Sequence, residues 1–286
     1  MRHRFRPVPS LRAATAAIGA AVLLAGCGSV MAGDGGDHDR ESVAEETFPH
    51  APVFDYQLGG AYSSPAGAEV VVRDRTAPPE VGTYSVCYVN AFQTQPGEHD
   101  LWPDEALLRD ASGPVIDAEW PDEILLDTST PDGRERILDT VAPWVRGCAA
   151  DGFRGVEFDN IDSFTRSGGA LTFADNLALA TDLARIAHAE GLTVGQKNAA
   201  EFTAELRARA GFDFAVAEEC AAYEECAAYT AAYGDAVLAV EYTDSLPRGF
   251  SAMCEDPDSP ASMILRDRGL VVAGDHAYVY ERCSAR

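Results

Sequence analysis

The chain has 286 residues and a formal net charge of −24, with 46 acidic side chains against 22 basic ones. So acidic a chain is repelled by nucleic acid and by anionic membrane surfaces; it suits a cationic partner, or simply a well-solvated surface. No GxGxxG turn follows a predicted strand, and no CxxC pair or histidine cluster offers a metal-ligand set, so neither a cofactor nor a metal is expected.

Arg2, Arg4, Arg6 and Arg12 open the chain, and a small, apolar run over 13–26 follows. That run has the length of a secretory h-region and is short for a membrane span. It ends in Leu24-Ala25-Gly26-Cys27, which resembles the lipobox of bacterial lipoproteins. The resemblance implies cleavage before Cys27 and lipidation of its thiol. Residues 1–26 are therefore read as a lipoprotein signal peptide, with the mature protein on the extracellular face of the cell membrane, lipid-anchored or secreted. Any membrane contact would run through the lipid alone. Residues 27–50, rich in Gly, Asp and Glu, read as a flexible acidic tether that cannot bury enough surface to order itself. Residues 51–286 remain, a usual length for one (β/α)8 barrel, and no second linker interrupts them.

Within that domain, β-rich runs are predicted at 54–58, 83–90, 124–127, 155–160, 193–198, 212–218, 236–242 and 270–274. Helical periodicity separates most of them. Over 135–150, Ile137, Val141, Val145 and Cys148 share one face, with Pro143 predicting a kink or break. Over 173–190, Leu179, Leu183 and Ile186 share a face, Thr172 with Asp175 forms a capping-box pattern, and Gly191 supplies the stop. A short helix is predicted over 202–210. The polar, proline-containing segment 60–81 predicts an irregular first β/α unit. Strand–helix alternation means parallel strands, and eight units favour a closed (β/α)8 TIM barrel of a single domain over an open sheet. A monomer is expected. Setting Cys27 aside leaves six cysteines, an even number that suggests disulfides in an exported protein; six allow 15 pairings. Cys220–Cys226 is read as a local bridge, Cys254–Cys283 as a tie on the C-terminus, and Cys87–Cys148 as the remainder.

Barrel active sites form at the C-terminal ends of the strands. Those ends carry Gln57, Tyr88, Asn90, Asp127, Glu157, Asp159, Asn160, Lys197, Asn198, Glu218, Glu241, Tyr242 and Asp275. A ring of acids and amides is more than strand ends need in order to meet water. Asp159 and Glu218 fall in one sector of the rim. Two carboxyl groups flanking one bond are what glycoside hydrolysis requires, one as proton donor and the other as nucleophile or base. Lys197 beside them favours the ionised form of a neighbouring carboxylate, and Asn198 is placed to bond a sugar hydroxyl or orient an acid.

The stretch Gly155-Val156-Glu157-Phe158-Asp159-Asn160-Ile161-Asp162 resembles the V-E-x-D-N-x-D signature of glycoside hydrolase family 114. Similar segments follow in order: Gly191 through Asn198, Ala217-Glu218-Glu219-Cys220, the spacing to Tyr223-Glu224-Glu225-Cys226, and Val240-Glu241-Tyr242. Tyr56-Gln57-Leu58, Cys87-Tyr88 and Glu119-Trp120 through Asp127 fit upstream. Phe54-Asp55, Val89-Asn90-Ala91 and Ala217 depart from the family pattern, which bears on subsite preference. The resemblance implies a (β/α)8 endo-enzyme on α-1,4-linked polygalactosamine, with Asp159 as nucleophile or base and Glu218 as proton donor. Substrate contacts are expected from Gln57, Tyr88, Asn90, Asp127, Asn160, Asp162, Lys197, Asn198, Glu241 and Tyr242, with Trp102, Trp120 and Tyr223 as further stacking candidates. A partly deacetylated polymer of that kind is cationic and matches the acidic chain. The alternatives are a surface glycan-binding lipoprotein that does not cleave, or a hydrolase of another glycan.

Overall fold

The computed structural model describes residues 47–284; the predicted signal peptide, Cys27 and nearly all of the predicted tether lie outside the described residues. One curled sheet contains β1 Phe54–Gln57, β2 Val70–Asp74, β3 Tyr84–Asn90, β4 Gly155–Asp159, β5 Thr193–Lys197, β6 Phe214–Glu218, β7 Val237–Tyr242, β8 Ser262–Arg266 and β9 Tyr280–Arg282. Spatial order follows chain order. β1 through β8 pair in parallel, and β9 returns antiparallel to β8. Every residue of β3, β5, β7 and β8 is buried, as expected of parallel strands covered on both faces. Side chains bring β8 against β1. Ser262 Oγ donates to the Pro52 carbonyl at 2.6 Å, and the fully buried Arg266 reaches Asp55 Oδ1 at 3.2 Å and the Tyr56 carbonyl. This is the TIM-barrel class the alternation predicts.

Two of the eight predicted strands are corrected. The run 124–127 makes only isolated antiparallel bridges, to Gln93, Leu107 and Ile116, inside the long excursion that follows β3. Leu125 packs there with Leu108 and Leu171 in a small separate cluster. The run 270–274 is irregular chain. Their places in the barrel go to β2 and β8. β2 starts with three consecutive buried valines inside the segment read as irregular, and β8 ends in a buried arginine.

The helices α1 Pro131–Asp151 and α2 Phe173–Ala189 turn the predicted faces inward, with Ile137, Val141, Val145 and Cys148 buried on α1, and Leu179 and Leu183 buried and Ile186 half-buried on α2. Thr130 caps α1 by accepting from Gly133 N, and the helix runs through Pro143 without a break. Thr172 and Asp175 form the capping box of α2. The predicted helix at 202–210 is an α-turn, Thr203–Glu205, running into a π-turn, Leu206–Ala210. α3 Cys226–Tyr233 and α4 Phe250–Cys254 complete the helices. Phe48, read as tether, instead packs in the core, stacked on Phe214 at 4.0 Å and edge-on to Tyr84. Gly195 is demanded by that packing: a Cβ there would fall on the Phe214 ring. The disulfides are Cys87–Cys148, Cys220–Cys226 and Cys254–Cys283, as read from the sequence.

Candidate active site

Side chains on a strand alternate between faces, so Glu157 and Asp159 on β4 point the same way one layer apart. Lys197 ends β5, Glu218 ends β6 and Tyr242 ends β7. They meet at the mouth of the barrel, beneath an open cleft of about 850 Å³. Lys197 is the hub. Its Nζ lies 3.1 Å from Asp159 Oδ2, 3.3 Å from Glu218 Oε2 and 3.5 Å from Glu157 Oε1. Burial alone would lower the lysine pKa, but the three carboxylates outweigh it and hold the ammonium well above its ordinary value, so it stays charged.

Three donors converge on Asp159. Tyr88 OH is 2.7 Å from Oδ2, Lys197 reaches the same oxygen, and the Asn160 backbone N–H is 2.6 Å from Oδ1. Glu218 receives Tyr242 OH at 2.5 Å on Oε1 and Asn198 Nδ2 at 3.2 Å on Oε2; its own N–H donates to Asn198 Oδ1 at 2.9 Å. Burial raises both phenols above their usual range, with Asp159 adding to the rise at Tyr88 and Glu218 at Tyr242, so each remains a protonated donor. Asn160 is itself braced: its Nδ2 donates to Asn90 Oδ1 at 3.0 Å, and Arg166 Nη2 donates to its Oδ1 at 3.1 Å. Arg166 is fixed in turn by buried Asp117 at 2.6 Å and by Asp162 at 3.0 Å.

Of the predicted site residues, Asp159, Glu218, Tyr88, Asn160, Asp162, Lys197, Asn198 and Tyr242 line the cleft. Four substrate candidates do not. Gln57 is buried under the site, accepting from Arg73 Nε at 2.9 Å and donating to Asp55 at 2.8 Å. Asn90 is buried and serves Asn160 and Glu123. Asp127 binds Ser129 ahead of α1. Glu241 is buried and accepts the Ala221 N–H at 2.8 Å, which secures the Cys220–Cys226 loop; burial pushes its carboxyl up to about 7. The alternation of side chains explains Glu241: it follows Val240 and precedes the inward Tyr242, so it faces the other way. Trp102 packs edge-on against Trp144, away from the cleft, whereas Trp120 and Tyr223 line it and are 56% and 66% exposed.

The cleft also takes in Glu119, Glu123, Arg166, Glu201, Glu219, Glu225 and Arg268, none of them among the predicted site residues. Most sit on loops, where no strand pattern marks them. Each of its three cations is already matched to carboxylates: Lys197 as above, Arg166 by Asp117 and Asp162, and Arg268 by Glu219 and Asp244, both at a shortest distance within 3 Å. The excess of acid is therefore unneutralised and faces the opening. Among the described residues, no group of three His, Cys, Asp or Glu side chains is placed to hold a metal ion.

A pair of carboxylates over a barrel mouth is the arrangement that glycoside hydrolysis uses. The fold is similar to that of Aspergillus fumigatus Ega3, solved in complex with galactosamine, at a TM-score of 0.66 and 22% identity over 82% of this chain and 96% of that one. It is also similar to the glycoside hydrolase domain of PelA from Pseudomonas aeruginosa, at a TM-score of 0.51 and 16% identity over 78% of this chain and 97% of that one. No curated protein matches by sequence alone. The model of glycoside-hydrolase family GH114 matches residues 38–286. With that match over the whole domain and most of the chain, the chain belongs to glycoside hydrolase family GH114 and is a glycoside hydrolase.

Proposed function

We propose that the protein is an extracellular endo-glycosidase that cleaves α-1,4-linked, galactosamine-containing polysaccharide, with Asp159 as nucleophile and Glu218 as proton donor. The observation that carries this reading is the single ammonium of Lys197 touching both carboxyl groups at the floor of the cleft. Glu218 would protonate the glycosidic oxygen as Asp159 attacks the anomeric carbon; water would then release the sugar from Asp159 with Glu218 acting as base. Contacts of 3.1 and 3.3 Å to one nitrogen hold the two facing oxygens at most about 6.4 Å apart, just short of the roughly 6.5–9.5 Å of an inverting pair, and this is compatible with double displacement.

The lining of the cleft supports this substrate class. The acids left over after Lys197, Arg166 and Arg268 are paired would attract amino-sugar ammonium groups and steer a cationic polymer. Trp120 and Tyr223 offer exposed rings for sugar faces. The galactosamine bound to Ega3 is in keeping with this choice. The cleft is open rather than a closed pouch, which suits attack within a chain. The signal pattern and Cys27 support display outside the cell on a lipid anchor.

The test is incubation of the soluble domain with de-N-acetylated and N-acetylated polygalactosamine, with product sizes read by mass spectrometry. Oligomers from the de-N-acetylated polymer are expected, and their loss in Asp159→Asn and Glu218→Gln. Cleavage at the wild-type rate by either variant would overturn the assignment.

A further inference from the structure

Glu157 has no part in the double displacement, yet it lies directly under it. It is fully buried, one layer below Asp159 on β4. Oε1 accepts from Tyr56 OH at 2.8 Å and faces Lys197 at 3.5 Å, the longest of that lysine's three carboxylate contacts. Oε2 is sealed from solvent with no hydrogen-bond partner. The groups facing it are Tyr56 from β1, Tyr88 across the β3 register, Lys197 from β5 and Glu218 from β6, with Asp159 two residues on. Two of these are acids and only one is a cation.

We propose that Glu157 is a positioning residue that stands as the neutral acid at working pH, leaving Lys197 to balance the one negative charge that passes between Asp159 and Glu218. The charge count supports this. In the double displacement, Asp159 begins as the anion and Glu218 as the acid; after glycosyl transfer, Asp159 is an ester and Glu218 is the anion. One proton has gone to the leaving oxygen, one C–O bond has formed and one has broken, and the pair carries a single negative charge before and after. Lys197, nearly equidistant from both, meets that charge at either end of its path. An ionised Glu157 would add a second buried negative charge and draw the ammonium down from the pair. An orphan Oε2 is tolerable on a neutral acid and costly on an anion. Burial, with Asp159 and Glu218 adding to it, pushes this carboxyl up to about 8 against the opposing pull of Lys197 and Tyr56.

The proposal rests on the double-displacement reading, and its test separates the two. Infrared difference spectra of the wild type and E157Q at neutral pH are expected to show a carboxylic-acid band, absent from the variant, that bleaches in the wild type with a midpoint near 8. The Glu241 band is retained in both. Loss of a carboxylate band instead would overturn the proposal whether or not any polymer is cleaved. In kinetics, the ratio of kcat at alkaline to neutral pH is expected to rise in E157Q by up to about tenfold one pH unit above the midpoint. An unchanged ratio would equally refute it. Should E157Q fail to fold, carboxyl-carbon NMR of the wild-type glutamates decides: one resonance titrating above that of Glu241 supports the proposal, and none overturns it.

Discussion

Replacing Lys197 by Met tests whether the ammonium organises the site. The lysine is 2% exposed and meets three carboxylates at 3.1, 3.3 and 3.5 Å. Methionine fills a similar volume but leaves those acids without a cation. Breaking a buried ion pair from one side costs about 3–5 kcal/mol. In a domain of this size that corresponds to a fall in Tm of roughly 6–20 °C. The sign with pH follows from linkage. The folded pKa of Lys197 lies above its unfolded value, so its stabilisation is fully present below the unfolded pKa and is lost only as pH rises through the folded one. Between pH 5 and 9 the lysine does not titrate, and the difference from the variant is set by the acids it leaves behind. Urea unfolding of both proteins at pH 5 and pH 8 measures this. The deficit of Lys197→Met is expected to be larger at pH 8, where Glu157 is partly ionised, and to shrink at pH 5, where Glu157 is protonated in both proteins. Equal stability at pH 8 would refute the ion-pair reasoning, and a deficit growing toward pH 5 would refute its sign.

Three other changes have defined outcomes. Tyr242→Phe removes the 2.5 Å donor to Glu218 but keeps the ring under Arg268 at 4.1 Å, so kcat should fall about 10–100-fold with Tm little changed; an unaffected kcat would show that the phenol is idle. Gly195→Val drives a side chain into the Phe214 ring and should cost about 1–3 kcal/mol or more in thermal unfolding, whereas a neutral result would mean that the β5–β6 layer can separate. The double change Cys220→Ser with Cys226→Ser frees the loop carrying Tyr223; about 2 kcal/mol of stability and a higher KM are expected, and an unchanged KM would remove Tyr223 from the binding surface.

The floor of the candidate site is legible in the sequence because barrel chemistry is tied to strand ends: β6 is an apolar run closing on Glu218, β4 places Val156 and Phe158 ahead of Asp159, and β5, with Val194 as its one large apolar residue, is marked chiefly by its place between two helical stretches. The barrel was legible for a less direct reason. The sequence predicts eight units and the sheet contains eight parallel strands, two of which lie in segments other than those predicted. Val70-Val71-Val72 carried a β-branched signal that the prolines and polar residues around it masked. β8 was harder: only Met263, Ile264 and Leu265 are apolar, and its last residue is an arginine whose burial depends on Asp55, about two hundred residues earlier. No local window contains that partner. The run 124–127 has the composition of a strand but spends it on a loop cluster with Leu108 and Leu171. Gln57, Asn90 and Glu241 lie on the expected strands but outside the cleft, since the face each one takes and the neighbour that claims it decide the outcome.

The three strands that supply Asp159, Lys197 and Glu218 end alike. Asp159 is followed by Asn160 at φ 64°, Lys197 by Asn198 at 51°, and Glu218 by Glu219 at 58°. A side chain in this left-handed region costs roughly 1 kcal/mol or more, least for asparagine. At each place the same turn supplies bonds that offset the cost. The Asn160 N–H is brought onto Asp159, Asn198 is brought onto Glu218 from two directions, and Glu219 is clasped by both Arg268 nitrogens at 2.9 Å and by the Ser245 hydroxyl. That last clasp holds Arg268 over Tyr242, the donor to Glu218. Glycine would relieve the backbone at any of the three and would lose the side-chain bonds at Asn160, Asn198 and Glu219 alike. At these three strand ends the turn therefore keeps a left-handed residue where its side chain, or the N–H it presents, braces Asp159, Glu218 or the arginine beside Tyr242.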